Sequence, residues 1–579
     1  MPDDLRRMRL VCPWYLRDFA LGAGLFCCAL VQVVAKEVIP VDAGSLQQQM
    51  ERNQSLRLPR IVAPAVSVDP VVVAPDGTPV VTVSRFVFKG NTLLSEAQLR
   101  QIVAGQIGLP LSFNALEALV AQVAQAYRAQ GWVVRAFLPE QDIIHGQVEI
   151  QIVEGSLGQI VIEGELPSNL SESDLKRIIY AQQEEGSVLN SFSLDRGLLI
   201  AEDISGANVT AKMMEGEQDA QTGVLLQVSK RAWLDANVGL DNTGSPSTGS
   251  TRTSAMLNFN NVGVAGAVLS TQWAKTEGTG YVRLGFTVPL GVQGLKLGAS
   301  RSQMDYQVLN VSSDLEALGT SSTSSVELTY PLVRSRVQNA YATVALEEKA
   351  YTNYAAGMLA SDYGTRAVSL SLLGNRLDDW GFAGGASTWS LVYGYGLLDL
   401  TGSPNEDSLA KDANPAGSYN KLRYSVGREQ FLNSHWSLYG SFSGQWADKN
   451  LDSSEKLVLG GNSGVRAYGS SEAGGANGHI LNIEVRWRYN QALALSAFYD
   501  LGCIQINVKN DYSGAPATND YCLEGGGLAA AWTSEKGASL KVVWGRRNGV
   551  NPNANIETGQ DQDGTLVLNR IWLTASMVF

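Results

Sequence analysis

The stretch LNIEVRWRY, residues 481–489, decides the fold of this chain. Its odd positions, from Leu481 to Tyr489, are all apolar or aromatic. Its even positions are polar: Asn482, Glu484, Arg486 and Arg488. This alternation predicts a β-strand with two unlike faces. A soluble sandwich would turn the apolar face inward, whereas a membrane barrel turns it to lipid and tolerates charge in its lumen. The stretch therefore favours a strand of a transmembrane barrel.

The same pattern extends over the C-terminal 350 or so residues. In the last segment, the apolar positions from Ile571 to Phe579 alternate with Arg570, Trp572, Thr574 and Ser576. Sixteen such segments begin near Ala232, Thr251, Val268, Gly280, Leu295, Ser321, Asn339, Thr365, Gly384, Tyr419, Trp436, His479, Leu493, Tyr521, Ala538 and Leu568. A spacing of about 22 residues fits an antiparallel, even-numbered outer-membrane barrel. The alternative is a secreted β-solenoid or sandwich.

Composition agrees with this fold. Charged residues make up 17% of the 579, and 59 are glycine, whereas soluble domains average about 25% charged residues and about 7% glycine. The net charge of -12 argues against a nucleic-acid partner. After residue 40 there is no run of about 18 apolar residues that would form a membrane helix. A membrane location would therefore require strands.

The N-terminal residues indicate export. Four arginines precede the apolar stretch 19–34, which ends in Val33-Val34-Ala35. We expect residues 1–35 to be a signal peptide, with a single membrane anchor as the alternative. Only Cys503 and Cys522 would remain in the exported chain, which predicts a disulfide between them; two free thiols are the alternative.

Three segments precede the barrel at 230–579. Residues 36–58 include a polar stretch that predicts a helix in a wet environment, and the proline-rich residues 59–81 predict an extended linker. Residues 82–155 predict a βααββ module, and residues 156–229 repeat that order more loosely. The fold class is therefore mainly β, with a sixteen-stranded barrel behind two small modules.

Several strings in the first module carry a family resemblance. They are FKGNTLLS at 88–95, GWV at 131–133, LPEQD at 138–142 and VEG at 153–155. They resemble the POTRA module of the TpsB family, the outer-membrane transporters of two-partner secretion, which include the haemolysin and filamentous-haemagglutinin secretion proteins. The resemblance covers nearly the whole exported chain. It implies that the polar helix occupies the barrel lumen as a plug.

Two further strings resemble motifs of that family. Val465-Arg466-Ala467-Tyr468 is similar to the V-R-G-Y/F motif at the tip of a loop that folds back into the barrel. Phe498 to Gly502 is similar to F-x-D-x-G, and Glu484 with Arg486 matches E-x-R. The resemblance implies that these residues lock the loop. Ala467 departs from the motif's glycine, and a positive φ there would strain an alanine.

The strand pattern supports the lock independently. Asp500 and Glu484 are both expected to face the lumen, where a partly dehydrated carboxylate pair needs a cation. Arg466 lies in the long join of about 448–478, and its planar guanidinium can bond both carboxylates. The alternative is that Arg466 is an exposed loop charge and that Asp500 pairs with Arg486 or Arg488.

The family resemblance implies a pore that passes an unfolded exoprotein from the periplasm to the surface of a Gram-negative cell. The modules at 82–229 would bind the N-terminal domain of that client by strand addition. Further expected partners are outer-membrane lipid and the barrel-assembly machinery. The rival functions are an assembly insertase of the same superfamily, disfavoured by the two modules and the plug helix, and a plain porin.

No enzyme or cofactor is expected. The sequence contains three histidines, His145, His435 and His479, and lacks H-E-x-x-H, G-x-S-x-G, paired cysteine ligands and a phosphate-binding loop. The sequence therefore lacks the residue patterns required for metal-dependent hydrolysis, for serine–histidine catalysis and for a nucleotide-driven step.

Overall fold

The structure is a computed structural model that describes residues 42–52, 81–309, 316–404, 413 and 415–579. The predicted signal peptide and nearly all of the predicted linker lie outside these ranges. The first described element is the helix α1 (Ala43–Arg52), so residues 36–41 and 53–58 of the predicted plug segment are also outside them. Within the described ranges, no helix is long and apolar enough to span a membrane.

The first module folds in the predicted order. Its elements are β1 (Val81–Thr82), β2 (Arg85–Lys89), α2 (Glu96–Val103), β3 (Pro110–Leu111), α3 (Phe113–Ala129), β4 (Val134–Phe137) and β5 (Gln147–Glu154). Ser95 and Gln98 form a capping box at the start of α2. The apolar stripe of α3 faces a sheet of order β2-β5-β4, and Leu116, Val123 and Tyr127 are buried in the shared core.

The second module repeats this arrangement. It contains β6 (Ser156–Gly164), α4 (Glu172–Tyr180), α5 (Ser191–Ile204), β7 (Ala207–Glu215) and β8 (Gln221–Lys230). The sheet order is β6-β8-β7, with β6 parallel and β7 antiparallel to the central strand. Leu175, Ile179 and Ile200 bring both helices onto that sheet. Each module thus has two sheet edges without a paired strand among the described residues.

Sixteen described strands close into one antiparallel barrel. They are β9 (Leu234–Asp241), β10 (Arg252–Asn260), β11 (Val268–Lys275), β12 (Thr279–Leu290), β13 (Leu295–Gln307), β14 (Ala317–Arg334), β15 (Gln338–Ala355), β16 (Met358–Asp378), β17 (Gly385–Asp399), β18 (Gly417–Phe431), β19 (Trp436–Ala447), β22 (Asn477–Arg488), β23 (Leu493–Gln505), β24 (Asp520–Thr533), β25 (Ala538–Arg547) and β26 (Asn569–Val578). Two short strands, β20 (Leu457–Val458) and β21 (Gly474–Gly475), lie between β19 and β22. The predicted barrel and its strand number are confirmed.

The second module docks on one end of the barrel, which we call the module end. Arg334, next to the β14–β15 turn, forms a two-pronged ion pair with Asp203 of α5 at 2.7 and 3.0 Å. Asn261, in the β10–β11 turn, donates to the carbonyl of Gly206 at 2.9 Å. The short joins after β18 and β22 lie at this end, whereas residues 448–476 connect β19 to β22 at the opposite, far end.

The helix α1 lies inside the barrel, and its environment is drier than predicted. Gln47 is only 1% exposed and donates to Ser302 of β13 and Thr323 of β14, at 3.0 Å each. The backbone N–H of Ala43 donates to Asn353 of β15 at 2.9 Å. The expectation of a wet helix was wrong because lumenal hydroxyl and amide groups replace water around its polar side chains.

Candidate functional site

The site is built around the loop of residues 448–476, which we call the lumen loop. It leaves β19, enters the barrel and returns to β22. Its tip, Val465–Tyr468, is buried, with Arg466 only 4% exposed and its three neighbours fully enclosed. A charged side chain this deeply buried requires specific partners, which the barrel wall supplies.

Arg466 is held by two carboxylates from adjacent strands. Its Nε and Nη2 donate to the two oxygens of Asp500 at 2.9 and 2.7 Å, and its Nη1 donates to Glu484 at 2.6 Å. Its backbone N–H also donates to Asp500, at 3.0 Å. Strand register explains this geometry: Asn482 pairs with Asp500 and Glu484 with Phe498, so both carboxylates face the lumen one step apart.

A second set of groups fixes the carboxylates. Asn482 donates to Asp500 at 2.7 Å and to the carbonyl of Gly464 at 3.0 Å. Arg486 pairs with Glu484 at 2.7 Å and with Glu429 of β18 at 3.2 Å. The network therefore carries two arginines and three carboxylates, and it extends over β18, β22 and β23.

The ring of Phe498 and the last strand complete the contacts of Arg466. The guanidinium carbon lies 3.6 Å from the centroid of the Phe498 ring, in a cation–π arrangement. Trp572 of β26 donates from Nε1 to the carbonyl of Arg466 at 2.7 Å. The sequence places Trp572 on the lumenal face, but its partner lies 106 residues away and no local motif reveals it.

Three lumenal glycines leave room for the loop tip. A Cβ on Gly502 would lie 2.9 Å from Val465, one on Gly525 2.5 Å from the methyl of Ala467, and one on Gly545 3.0 Å from the carbonyl oxygen of Arg466. The tip therefore packs directly against the backbone of β23, β24 and β25. Gly502 was predicted from its motif, whereas Gly525 and Gly545 were missed.

The backbone at Ala467 is not strained. Among the described residues, the non-glycine residues with positive φ are His145, Ala220, Asn261, Ala356 and Ala473. Ala467 is not one of them, so its alanine side chain causes no backbone strain there. Its methyl group instead fills the space above Gly525. The departure from the family's glycine is accommodated by packing.

A further group of buried charges lies on the other side of the tip. Glu472 accepts from Asn551 at 2.7 Å and from the backbone N–H of Gln562 at 3.0 Å. Asp561 pairs with Arg547, and Asp563 pairs with Arg570. Arg547 also lies 4.8 Å from the ring centroid of Tyr468. These contacts join the lumen loop to residues 548–568 between β25 and β26.

Glu472 is a titrating group within this cluster. Burial, with Asp561 and Asp563 nearby, raises its pKa to about 7, although its bonds to Asn551 and Gln562 act in the opposite direction. The three carboxylates lie close enough to hold a cation, but Arg547 and Arg570 already neutralise Asp561 and Asp563. The cluster is therefore an ion-pair network with one proton-sensitive member.

The start of the lumen loop carries a second lock. Glu455 is buried between Lys349 of β15, at 3.2 Å, and Lys421 of β18. The adjoining Lys456 carbonyl accepts from Gln48 of α1 at 2.6 Å. A Cβ on Gly44 of α1 would lie 2.8 Å from Ser454. The helix α1 and the lumen loop therefore share a contact surface that no local sequence pattern predicts.

The predicted site residues occupy the following places. Arg466, Asp500, Glu484, Phe498 and Gly502 meet at the loop tip, and Tyr468 packs beside them against Arg547. The alternative with an exposed Arg466 and an Asp500–Arg486 pair does not occur. Cys503 and Cys522 are directly opposed on β23 and β24 and form a disulfide on the outward face.

These contacts hold the loop tip in one position against the barrel wall. The charged groups at the tip are paired with one another, so the chemistry of the described site is ion pairing. Removing Arg466 would leave the buried Asp500 without a cation and Glu484 with Arg486 alone, and loss of one partner of a buried pair costs about 3–5 kcal/mol. The fold and site thus define a membrane barrel with two α/β modules at one end and a loop bonded to the wall of its lumen.

Family and structural comparisons agree with this class. The profile of the haemolysin secretion/activation proteins ShlB/FhaC/HecB matches residues 221–523, more than half of the chain, and the ShlB-type POTRA profile matches residues 81–155. The chain belongs to this family of two-partner secretion transporters.

Individual relatives extend over most of the chain. The heme/hemopexin transporter protein HuxB of Haemophilus influenzae is 23% identical over 80% of this chain and 83% of its own length. The outer membrane transporter CdiB of Dickeya dadantii is 26% identical over 86% of this chain and 88% of its own. The solved CdiB structure from Escherichia coli, 23% identical, covers 93% of this chain and 99% of its own, with a TM-score of 0.69, which shows the shared fold.

The protein is therefore an outer-membrane translocation pore that recognises an exoprotein and secretes it from the periplasm to the cell surface. The module end of the barrel is periplasmic, and the far end faces the outside. The rival functions, a porin and an assembly insertase, are set aside by the family match. The solved BamA structure from Haemophilus ducreyi, 16% identical with a TM-score of 0.51 over 86% of this chain and all of its own, shares the fold alone.

Proposed function

We propose that the lumen loop and α1 together form the gate of this pore, and that release of Arg466 from Asp500 and Glu484 is the opening step. The observation that carries the proposal is the fourfold bonding of Arg466, with three contacts to Asp500 and one to Glu484. Such a site stabilises one loop position and is lost as a unit when the tip moves.

The test is secretion by the Arg466→Ala variant. It should abolish secretion while the barrel still resides in the outer membrane, because the tip loses its position in the lumen. The conservative Arg466→Lys keeps the charge but loses the fork, so we expect intermediate secretion. Normal secretion by Arg466→Ala would remove the loop lock from the mechanism.

We further propose that α1 is a removable plug. Its contacts with the wall are hydrogen bonds centred on Gln47, with one further bond from Ser302 to the Glu51 carboxylate, and such bonds cost less to exchange for water than buried ion pairs do. Deleting residues 42–58 should raise the conductance of the pore in planar bilayers. An unchanged conductance would refute the plug.

The two modules are proposed as the client receptor, with domains at 82–155 and 156–229 before a barrel at 230–579. Support comes from the edge strands β2, β4 and β7, which pair with no further strand among the described residues and can accept one. The start of β6, at Ser156 and Leu157, already bonds to residues 186–188. Deletion of residues 82–155 should stop binding of the N-terminal domain of the client. Undiminished binding would exclude the first module as the receptor.

The remaining roles follow from the location in the outer membrane. We propose that folding of the client outside the cell gives the transport its direction, that the barrel-assembly machinery inserts this chain, and that its outward face contacts lipid. We also propose that the protein is not an enzyme, since the buried charges of the lumen are paired with one another in the closed state.

A further inference from the structure

One part of the lipid-facing surface departs from the apolar pattern of a barrel. On β13 to β16, outward side chains near the membrane's external side include Arg301, Glu348 and Arg366. Arg301 is on the face opposite to Ser302, which contacts α1 in the lumen. The side chains of Arg366 and Glu348 are 78% and 63% exposed, and they pair at 2.9 Å.

Strand register places these charges in one row. Arg301 pairs with Ser324, Ser324 with Glu348, and Glu348 with Arg366. The next row toward the periplasm contains only apolar and aromatic side chains: Phe286, Ala299, Val326, Leu346, Val368 and Tyr395. We therefore place the boundary between the hydrocarbon and the lipid headgroups between these two adjacent rows, where the outward side chains change from apolar to charged.

The same residues line a concavity. A groove of about 830 Å³ runs over this surface, and its lining includes Phe286, Leu346 and Val368 in the apolar part and Arg301 and Arg366 at the polar end. Small residues on β13 and β14, Ala299 and Ser324, create the depression. The groove faces away from the lumen and is separate from the gate.

The charge balance of the row calls for an anion. Within the row, Glu348 pairs with Arg366, which Asp399 one row farther out also attracts, whereas Arg301 has no ion-pair or hydrogen-bond partner among the described residues. An arginine on the lipid face costs about 2–4 kcal/mol at the midplane and about 0–1 kcal/mol near the interface. A phosphate at the interface would supply the missing partner through charge-assisted bonds.

We propose that this groove binds a phosphorylated lipid of the outer leaflet, with an acyl chain over the apolar row and phosphate groups at Arg301 and Arg366. The two arginines are three strands apart, about 14 Å along the row, so a headgroup with two phosphates could reach both. Asp399 and Asp362 line the adjoining concavity, one row and two rows farther out. Because these carboxylates would repel phosphate, the phosphate groups are placed on the row of Arg301 and Arg366, next to the acyl chains.

The experiment uses the full chain purified in detergent and bisphosphorylated lipid A as the probe, with bound lipid counted by native mass spectrometry. We expect the double variant Arg301→Ser, Arg366→Ser to retain about one tenth, or less, of the lipid that the wild type retains. The double Lys variant should keep most of the binding, since it preserves charge. Each single Ser variant should lose part of it.

A matched control is available on the opposite side of the barrel. Arg546 of β25 is also outward and exposed, but lies outside the groove, so Arg546→Ser should bind lipid like the wild type. Heat-dependent migration on gels checks that each variant remains a folded barrel. Dephosphorylated lipid A should bind to the wild type as weakly as bisphosphorylated lipid A binds to the double Ser variant. Inorganic pyrophosphate should not displace the bound lipid from the wild type.

Three results would overturn the proposal. Equal retention by the double Ser variant would show that the arginines do not bind the headgroup. Equal binding of dephosphorylated lipid A would show a groove for acyl chains alone. A dimer that is lost in the double Ser variant would identify a second copy of the chain as the occupant.

Discussion

The glycine contacts at the loop tip give a sharp prediction. Gly545 of β25 lies under the tip, and a Cβ there would approach the carbonyl oxygen of Arg466 at 3.0 Å, its carbonyl carbon at 3.1 Å and the amide nitrogen of Ala467 at 3.2 Å. All three are backbone atoms, which cannot rotate aside as a flexible side chain can. We expect Gly545→Ala to push the tip away from the wall by a few tenths of an ångström.

The cost follows from the bonds that this displacement disturbs. The carbonyl of Arg466 accepts from Trp572 at 2.7 Å, and the backbone N–H of Arg466 donates to Asp500 at 3.0 Å. Overpacking of this kind costs about 1–3 kcal/mol. The ratio of docked to undocked loop should therefore fall by about 5- to 150-fold.

The assay places a cysteine at Val465, which is fully buried in the docked loop, and measures its labelling by a maleimide that does not cross membranes. Labelling and bilayer conductance should both rise in the Gly545→Ala background. Gly440→Ala is the control, since a Cβ at Gly440 of β19 meets no atom within 4 Å. Equal labelling in the two backgrounds would refute the packing argument.

Three other perturbations test the remaining contacts. Because the pKa of Glu472 is raised to about 7 in the docked loop, from an ordinary 4.5, protonation favours docking, and that advantage is lost as pH rises from about 4.5 through 7. Since a thiol itself reacts faster with maleimide as pH rises, labelling of the cysteine at Val465 is divided at each pH by its labelling in the Glu472→Gln background, and this ratio should increase with pH by about tenfold or more. Glu455→Gln should weaken docking of the loop base by about 3–5 kcal/mol, since it leaves the buried Lys421 without an ion-pair partner and Lys349 with Glu347 alone, and conductance should rise. Gln47→Ala removes the hydrogen bonds of α1 to the wall and should increase plug release measured by conductance, while a change confined to secretion and absent from conductance would count against a plugging role.

The barrel could be predicted because its signal is local. Each strand alternates at period two, and fifteen of the sixteen predicted starts lie within four residues of the observed ones; the exception, Thr365, is seven residues from Met358 because β16 extends farther at its start. The pairing of Arg466 with Asp500 was also predictable, since face assignment follows from the same alternation.

The rest of the site depends on how the chain crosses the lumen. The contacts of Glu455 with Lys349 and of Trp572 with Arg466 each join residues 106 positions apart. No local spacing encodes such pairs, because they arise from the path of the lumen loop and the curvature of the wall. The burial of α1 was mispredicted for the same reason: its polar face meets polar strand positions rather than water.

The distribution of contacts along the lumen loop constrains how the pore opens. The tip is bonded to β22 and β23, the base to β15 and β18, and Glu472 to residues 548–568, so three regions of the barrel hold one segment. Breaking the buried ion pairs of Arg466 or Glu455 leaves charges without partners, whereas entry of water or of a polar client chain supplies new ones. Departure of α1 exposes the loop base at Ser454 and Lys456 first. Plug release should therefore precede tip release, because it admits the water that lowers the cost of separating Glu455 from its lysines and then Arg466 from Asp500.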